Sequence, residues 1–520
     1  MKRSALTAAV VTVAVAASIS TAGTIATPQP AAAAELCVGG PGCFATIQQA
    51  LDAAHDGDTI QIGAGTFAGG VTIDRSVSLV GASAAQTRIQ GGGPVITIGE
   101  ALAPDPPTVS ITGVTITGGT NDSKPESPVG LGFFVAGGGV LIPAAEGGSM
   151  GATVSISHSV ITGNRVTAGR PVRVCHTPFS PSTDCSFASG GGIATSGALT
   201  VTDTRVADNV AGATVNGGSL TTDARGGGIW IAAQGSLTLQ HSEVTGNRSA
   251  VTAPNGAFAE SGGIGVYGTL TATDSVISGN HAEAHLALPG SFLVDLFSEA
   301  IGGGLRISAP DENPAASATL IRTTISDNSV TTTNTVGDAY APAGGISAKG
   351  QLVLVDSKVE RNAATASVPP NSATQAIALH GGIQVEAAVA TIRTSSISHN
   401  AVTALNANGP ASVAAGGLGN VSGHVTVDRT LVIGNVGSAN GATGLALGGG
   451  ILNTAALAGP APELALSHSV VTANRLTAIP GITTKGGGIY TADFLTDNPL
   501  PITRTATVVA GNQPDQCFGC

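Results

Sequence analysis

The chain has 520 residues, of which 74 are glycine; charged residues make up 10%, aromatics 3%, and the net charge is −11. So little basic charge excludes a nucleic-acid partner, which would need cations to neutralise phosphates. Beyond the amino-terminal region no apolar run is long enough to cross a bilayer as a helix, so no transmembrane segment is expected in the mature chain.

Residues 1–34 read as a signal peptide: Lys2 and Arg3 precede an apolar run from Ala5 to Ile19, and small residues end at Ala31 to Ala34. Cleavage before Glu35 and a secreted, extracellular or cell-surface location are expected. An amino-terminal cap follows over 35–56, where Phe44 to Ala54 puts Ile47, Leu51 and Ala54 on one helical face. A short helix there would plug the open apolar end of a stacked fold. Residues 57–119, with GDTIQIGAGTF and VTIDRSVSLVG, carry strand patterns of short period.

From 120 to 512 one unit recurs ten times, opening on a glycine signal at Gly137, Gly190, Gly226, Gly262, Gly302, Gly344, Gly381, Gly416, Gly448 and Gly486. Each copy closes on an asparagine: Asn164, Asn209, Asn247, Asn280, Asn328, Asn362, Asn400, Asn435, Asn474 and Asn512. The closing residues lie 33 to 48 positions apart, the spacing of a solenoid. Three positions before each Asn stands Ile or Val, and five before it only Ser or Thr. Alternation with polar neighbours gives three short strands per copy: a glycine strand, an LTVT-like strand and an SxVxxN strand. Stacked in parallel register, like side chains lie above one another, so the asparagines are expected to form a ladder in which each carboxamide donates to its neighbour. With the short-period turns the stack would hold about thirteen turns, roughly 60 Å at β spacing.

The succession GGGI, then LTVTxSxVxxN, resembles the right-handed parallel β-helix of the pectin-lyase-like superfamily, in particular bacterial surface proteins with polymorphic-membrane-protein-like repeats. The resemblance implies an all-β solenoid with a short capping helix. It carries over no catalytic residue, because the NTD and DD motifs of the family's hydrolases and the calcium-binding carboxylate cluster of its pectate lyases are absent.

Six cysteines fall as three local pairs, Cys37 with Cys43, Cys175 with Cys185, and Cys517 with Cys520 in the tail 513–520. Local disulfides are the economical pattern in an exported chain, although count alone does not fix connectivity. A zinc site is the weaker alternative, since His176 is the only nearby imidazole. No metal or cofactor is expected.

Function is sought on outward positions. The residue after each glycine-strand aliphatic, and the one two further on, should face outward, which sets Trp230, Tyr267, Arg306, Lys349, Gln384 and Glu386 on one face over five turns. Aromatics beside cations are what stacking on sugar rings and pairing with a uronate would use. Six before the Asn runs a polar column, His158, Asp203, His241, Asp274, Arg322, Asp356, Thr394, Arg429 and His468, readable as a solvated bend or as an ionisable ladder. Insertions such as Ile142 to Ala152, Ser308 to Ser317 and Asn453 to Glu463 suggest ridges at one corner, while Arg165 to Ser189 and His281 to Ala300 read as long loops packed over an outer face. No carboxylate pair suited to glycoside hydrolysis stands out. The leading expectation is therefore non-catalytic binding of a polysaccharide or cell-surface partner. The alternatives are a polysaccharide lyase or hydrolase using Arg306, Lys349 or Tyr267, and a structural surface-display solenoid.

Overall fold

The computed structural model describes residues 33–122, 134–168, 172–177, 180–214, 221–254, 256–286, 297–308, 316–370, 373–456 and 459–520. The signal-peptide reading and most of the expected Arg165 to Ser189 and His281 to Ala300 loop tips, with Phe292 and Leu296, lie outside them or in side chains not described.

The chain is a right-handed parallel β-helix, but a full turn holds five strands rather than three. In the turn 193–225 these are β1 (Ile193–Thr195), β2 (Ala198–Thr202), β3 (Arg205–Ala207), β4 (Val210–Thr214) and β5 (Thr221–Arg225), and the same labels serve for equivalent strands elsewhere. Stacked turn on turn, β2 makes a sheet of 14 strands, β1 and β3 sheets of 13 each, and β4 with β5 a sheet of 19, which agrees with a stack of about thirteen turns. Among the described strands pairing is parallel, except where Val172–Thr177 runs against Ser180–Ser189, and an isolated antiparallel bridge joins Ala492 to Pro499.

The first three strands enclose the coil expected from sequence. Their inward residues are Ile, Val and Leu, such as Ile193, Leu199, Val201 and Val206, all essentially inaccessible. At the amino-terminal end the helix α1 (Ile47–Ala53) buries Ile47 and Leu51 over this core, and its start is fixed by Thr46, whose hydroxyl accepts from Gln49 N while Gln49 returns a bond to Thr46 N.

The stretches read as loops are instead strands β4 and β5, which leave the coil after each Asn and return to the next glycines. They face one another across a separate core made mostly of alanine, including Ala211, Ala213, Ala224, Ala257, Ala259, Ala282 and Ala284. Small side chains let the two strand layers approach closely, so this lobe is a thin fin along the coil. In two turns the outgoing and returning halves merge into single strands, Ala401–Ala414 and Val436–Leu447.

Two ladders hold the junctions. Each closing Asn from 164 to 474 donates through Nδ2 to Oδ1 of the next at 2.9–3.0 Å. Its second Nδ2 hydrogen satisfies a carbonyl of the preceding turn, as Asn328 does with Ile277 O at 2.9 Å. At the far end Asn512 donates to Gln516 Oε1 instead. At the β2–β3 bend the Ser/Thr column is buried from Ser159 to Ser469, with Ser242 Oγ accepting from Thr204 N at 3.1 Å and donating to Gln240 O. The polar column just before it, from His158 to His468, takes left-handed backbone with φ between +46 and +50°, a conformation for which Asp and His pay less than most residues. The glycines are required by close approach: a Cβ on Gly191 or Gly192 would stand 2.4 and 2.7 Å from carbonyl oxygens of the next turn.

Cys37 is bonded to Cys43 and Cys517 to Cys520, whereas the Cys175–Cys185 pair involves side chains outside those described. No helix among the described residues is long and apolar enough to cross a membrane.

Candidate functional site

Because β5 runs into the glycine turn and the chain then folds back into β1, one face of β5 looks at the outer face of β1 across a groove that their side chains bridge. The groove follows the coil axis, and its walls have different chemistry along their length. The sequence-selected row lies on the β1 wall, but the face is not open as expected. Gln384 is only 3% exposed, Trp230, Tyr267, Arg306 and Glu386 are half-buried, and Lys349 alone is exposed. The fin, which the alternation of alanine after each Asn conceals as a loop, covers them.

Opposite stand residues that sequence reasoning missed: Asp223, Arg225, Phe258, Glu260, Glu299 and Tyr340. They sit one to four positions before the glycine signal, each next to an alanine, as in DAR-GGG and FAE-SGG. A concentration of charge just ahead of the glycines, in a chain otherwise poor in charge, was the available signal.

Across the groove Tyr267 Oη donates to Glu260 Oε2 at 2.8 Å, and Arg306 and Arg225 approach the same carboxylate at 3.5 and 3.8 Å. Arg225 also donates from Nε to Asp223 Oδ2 at 2.8 Å and lies 5.1 and 5.3 Å from the ring centres of Phe187 and Tyr267. Trp230 tilts against Tyr267 with ring centres 6.2 Å apart, and Phe297 contacts both Phe258 and Tyr340 at about that distance, 6.1 and 6.0 Å. Two turns on, Lys349 pairs with Glu386 at 2.9 Å, and Gln384 donates to Glu386 while accepting from Ser347. All three cations of the row and its opposite wall, Arg225, Arg306 and Lys349, are thus engaged by protein carboxylates. The expectation that cations are free to pair with a uronate is corrected accordingly.

The carboxyl groups divide. Burial raises Asp223 above the usual carboxylate range against the pull of Arg225. Burial acts on Glu260 too, but Arg306, Arg225 and the Tyr267 hydroxyl outweigh it, so Glu260 is held below that range. Glu299 is pushed up to about 7, chiefly by burial, with Glu260 and Glu386 reinforcing and Arg306 and Lys349 opposing. Toward the carboxy-terminal end the groove turns apolar and closes: Tyr490, fully buried, stacks on Phe518 at 5.4 Å beside Leu447 and Leu452.

Elsewhere among the described residues the surface offers shallow hollows. One of about 350 Å³ lies on the β2 face among Thr108, Ser110, Thr153 and Ser155, and one of about 490 Å³ lies at the β2–β3 corner among His158, Asp203, Arg205 and His241. In the second, His158 and Asp203 stand 3.7 Å apart and both are well exposed, as is His241, whose partner Asp274 is half-buried. That is the solvated bend rather than a working ladder, and no group of three or more His, Cys, Asp or Glu among the described residues is arranged to hold a metal. The groove is therefore where buried, chemically distinct groups converge. Comparison with protein-family models and with curated proteins gave no match to this chain.

Proposed function

We propose that the protein is a secreted member of the pectin-lyase-like β-helices that binds a polysaccharide lengthwise in the groove between its coil and its fin. The observation that carries this reading is the pairing of two walls: Trp230, Tyr267, Arg306, Lys349, Gln384 and Glu386 on one side, and the aromatic and acidic residues of β5 on the other. From the turn of Asp223 to that of Glu386 the polar zone spans five turns, roughly 20 Å, enough for several sugar units in an extended chain. Half-buried rings offer stacking faces, and carboxylates and Gln384 offer fixed partners for hydroxyls. Since the cations already serve the protein's own acids, a neutral glycan fits better than a polyuronate. Binding without covalent change is the reading taken here.

The test is retention of the mature chain from Glu35 on immobilised or gel-embedded neutral glucans, mannans, xylans and galactans, with a polyuronate alongside. Retention by a neutral glycan, lost in Trp230→Ala, is the expected result. A wild type that no neutral glycan retards, or a Trp230→Ala variant retarded as strongly as wild type, would remove the groove from the account.

A further inference from the structure

In six successive turns the β2 strand reads TVSIT (Thr108–Thr112), TVSIS (Thr153–Ser157), ALTVT (Ala198–Thr202), SLTLQ (Ser236–Gln240), TLTAT (Thr269–Thr273) and SATLI (Ser317–Ile321). The second and fourth residues of each strand enter the coil core, and the first, third and fifth face outward. The eighteen outward positions hold ten Thr, five Ser, Ala198, Gln240 and Ile321, and none is charged. On the same sheet Arg393, His424, Asp428 and Glu463 enter only in later turns. The six strands pair residue for residue without a register shift, so that Ser110, Ser155, Thr200, Thr238, Thr271 and Thr319 form one straight column. Two periods result, about 4.8 Å from turn to turn and about 6.7 Å from column to column. Thr112 and Ser157 bond to one another at 2.8 Å, and the remaining hydroxyls of the patch bond to no other described residue.

Such a face is a poor site for a dissolved ligand, because each hydroxyl contact replaces one already made to water and nets little. It presents no charge to an ionic partner and no ring to a sugar. Its extent, about 24 by 13 Å, or roughly 300 Å², falls well short of the ~800 Å² per partner that a stable pair of protein copies buries. A ligand made of water escapes the exchange, since the waters held by the hydroxyls already belong to it. Rigidity then helps. Threonine is stiff at χ1, so methyl and hydroxyl groups recur at fixed places. The turn-to-turn spacing also lies close to the repeat of water oxygens along the a axis of ice. We propose that this face binds ice, holding on its Thr and Ser columns an ordered water layer that merges with a growing crystal. The surface is separate from the groove and does not depend on glycan binding.

The experiment grows ice slowly from a solution of the mature chain, measures protein in the ice and in the remaining liquid, and follows grain growth in a frozen sucrose film. An unrelated protein of similar size serves as the excluded reference. Wild type is expected to enter the ice and to slow grain growth. Thr238→Tyr and Thr271→Tyr place a ring above the array and lift the neighbouring hydroxyls from the crystal, so each should lower the protein content of the ice about tenfold or more. Aromatic residues suit outward strand positions, and an unchanged urea midpoint confirms the fold of each variant. Glycan retention by both variants should match wild type, and Trp230→Ala should enter ice as wild type does. Exclusion of the wild type from ice overturns the proposal, whatever the variants do. Folded tyrosine variants that enter ice as readily as wild type also overturn it, as does a folded Trp230→Ala that is excluded, which would move the contact to the groove.

Discussion

His380 occupies a glycine position of the repeat, directly before Gly381, and it is fully buried with neither ring nitrogen hydrogen-bonded. Its ring fills the outer face of the coil above Gly419, the next residue of the β1 column. Burial alone drives its pKa down to about 3. Between that value and the ordinary 6.5 the folded state binds fewer protons than the unfolded chain, so stability falls as pH drops through this window. Integrated for one group, the loss between pH 7 and pH 5 is about 2 kcal/mol. Glu299 acts with the opposite sign: its raised carboxyl makes the folded state bind more protons below pH 7, so its contribution improves on acidification. The wild-type profile alone therefore mixes the two. The comparison that isolates the histidine is urea unfolding of wild type and His380→Leu at both pH values. At pH 7 the variant should be equal to or about 1 kcal/mol more stable, because two unsatisfied nitrogens are gone. At pH 5 its advantage should grow by about 2 kcal/mol. A gap that is the same at both pH values would show that His380 finds a proton partner in the folded state and would refute the reasoning.

Two further predictions concern packing and the ladder. A Cβ on Gly419 would stand 1.7 Å from His380 Cδ2, so Gly419→Ala should cost about 2–3 kcal/mol in unfolding free energy. Most of that cost should vanish in a His380→Ala background, and a purely additive double mutant would argue against the contact. Asn328→Ala removes an acceptor from Asn280 N and Nδ2 and a donor from Ile277 O and Asn362 Oδ1, all buried. It should destabilise by at least about 3 kcal/mol, with faster amide exchange centred on its own and adjacent turns; a loss under about 1 kcal/mol would mean that water replaces the carboxamide.

The coil was legible because its signals are local and repeated: Ile or Val three before Asn209 or Asn247, and the paired glycines, such as Gly191 and Gly192, whose close approach to the next turn leaves no room for a side chain. The fin was not, because its strands are written in alanine and threonine, as in Val210–Thr214 and Ala363–Ser367, where weak strand propensity and low hydrophobicity imitate a loop. Stacking against identical neighbours, rather than local preference, makes them strands. The same omission hid the site. Tyr267 and Arg306 were found on one wall, but Glu260 could be recognised as their partner only once the returning strand was known to fold back over them. The polar column of His158 and Asp203, readable as a solvated bend, stands at one, and the left-handed backbone there accounts for its residue types.

The asparagine ladder is directional and indifferent to length. Every carboxamide asks only for another above and below, so a whole turn could be duplicated or excised, in gene or in design, without leaving an unmet hydrogen bond along that seam. The groove has no such tolerance. Glu260, Arg306 and Lys349 come from three consecutive turns, so the loss of one turn would leave the column standing and dismantle its chemistry. If the proposed binding reading holds, turn number is constrained across the stretch between Asp223 and Glu386 in a way that the ladder itself does not impose.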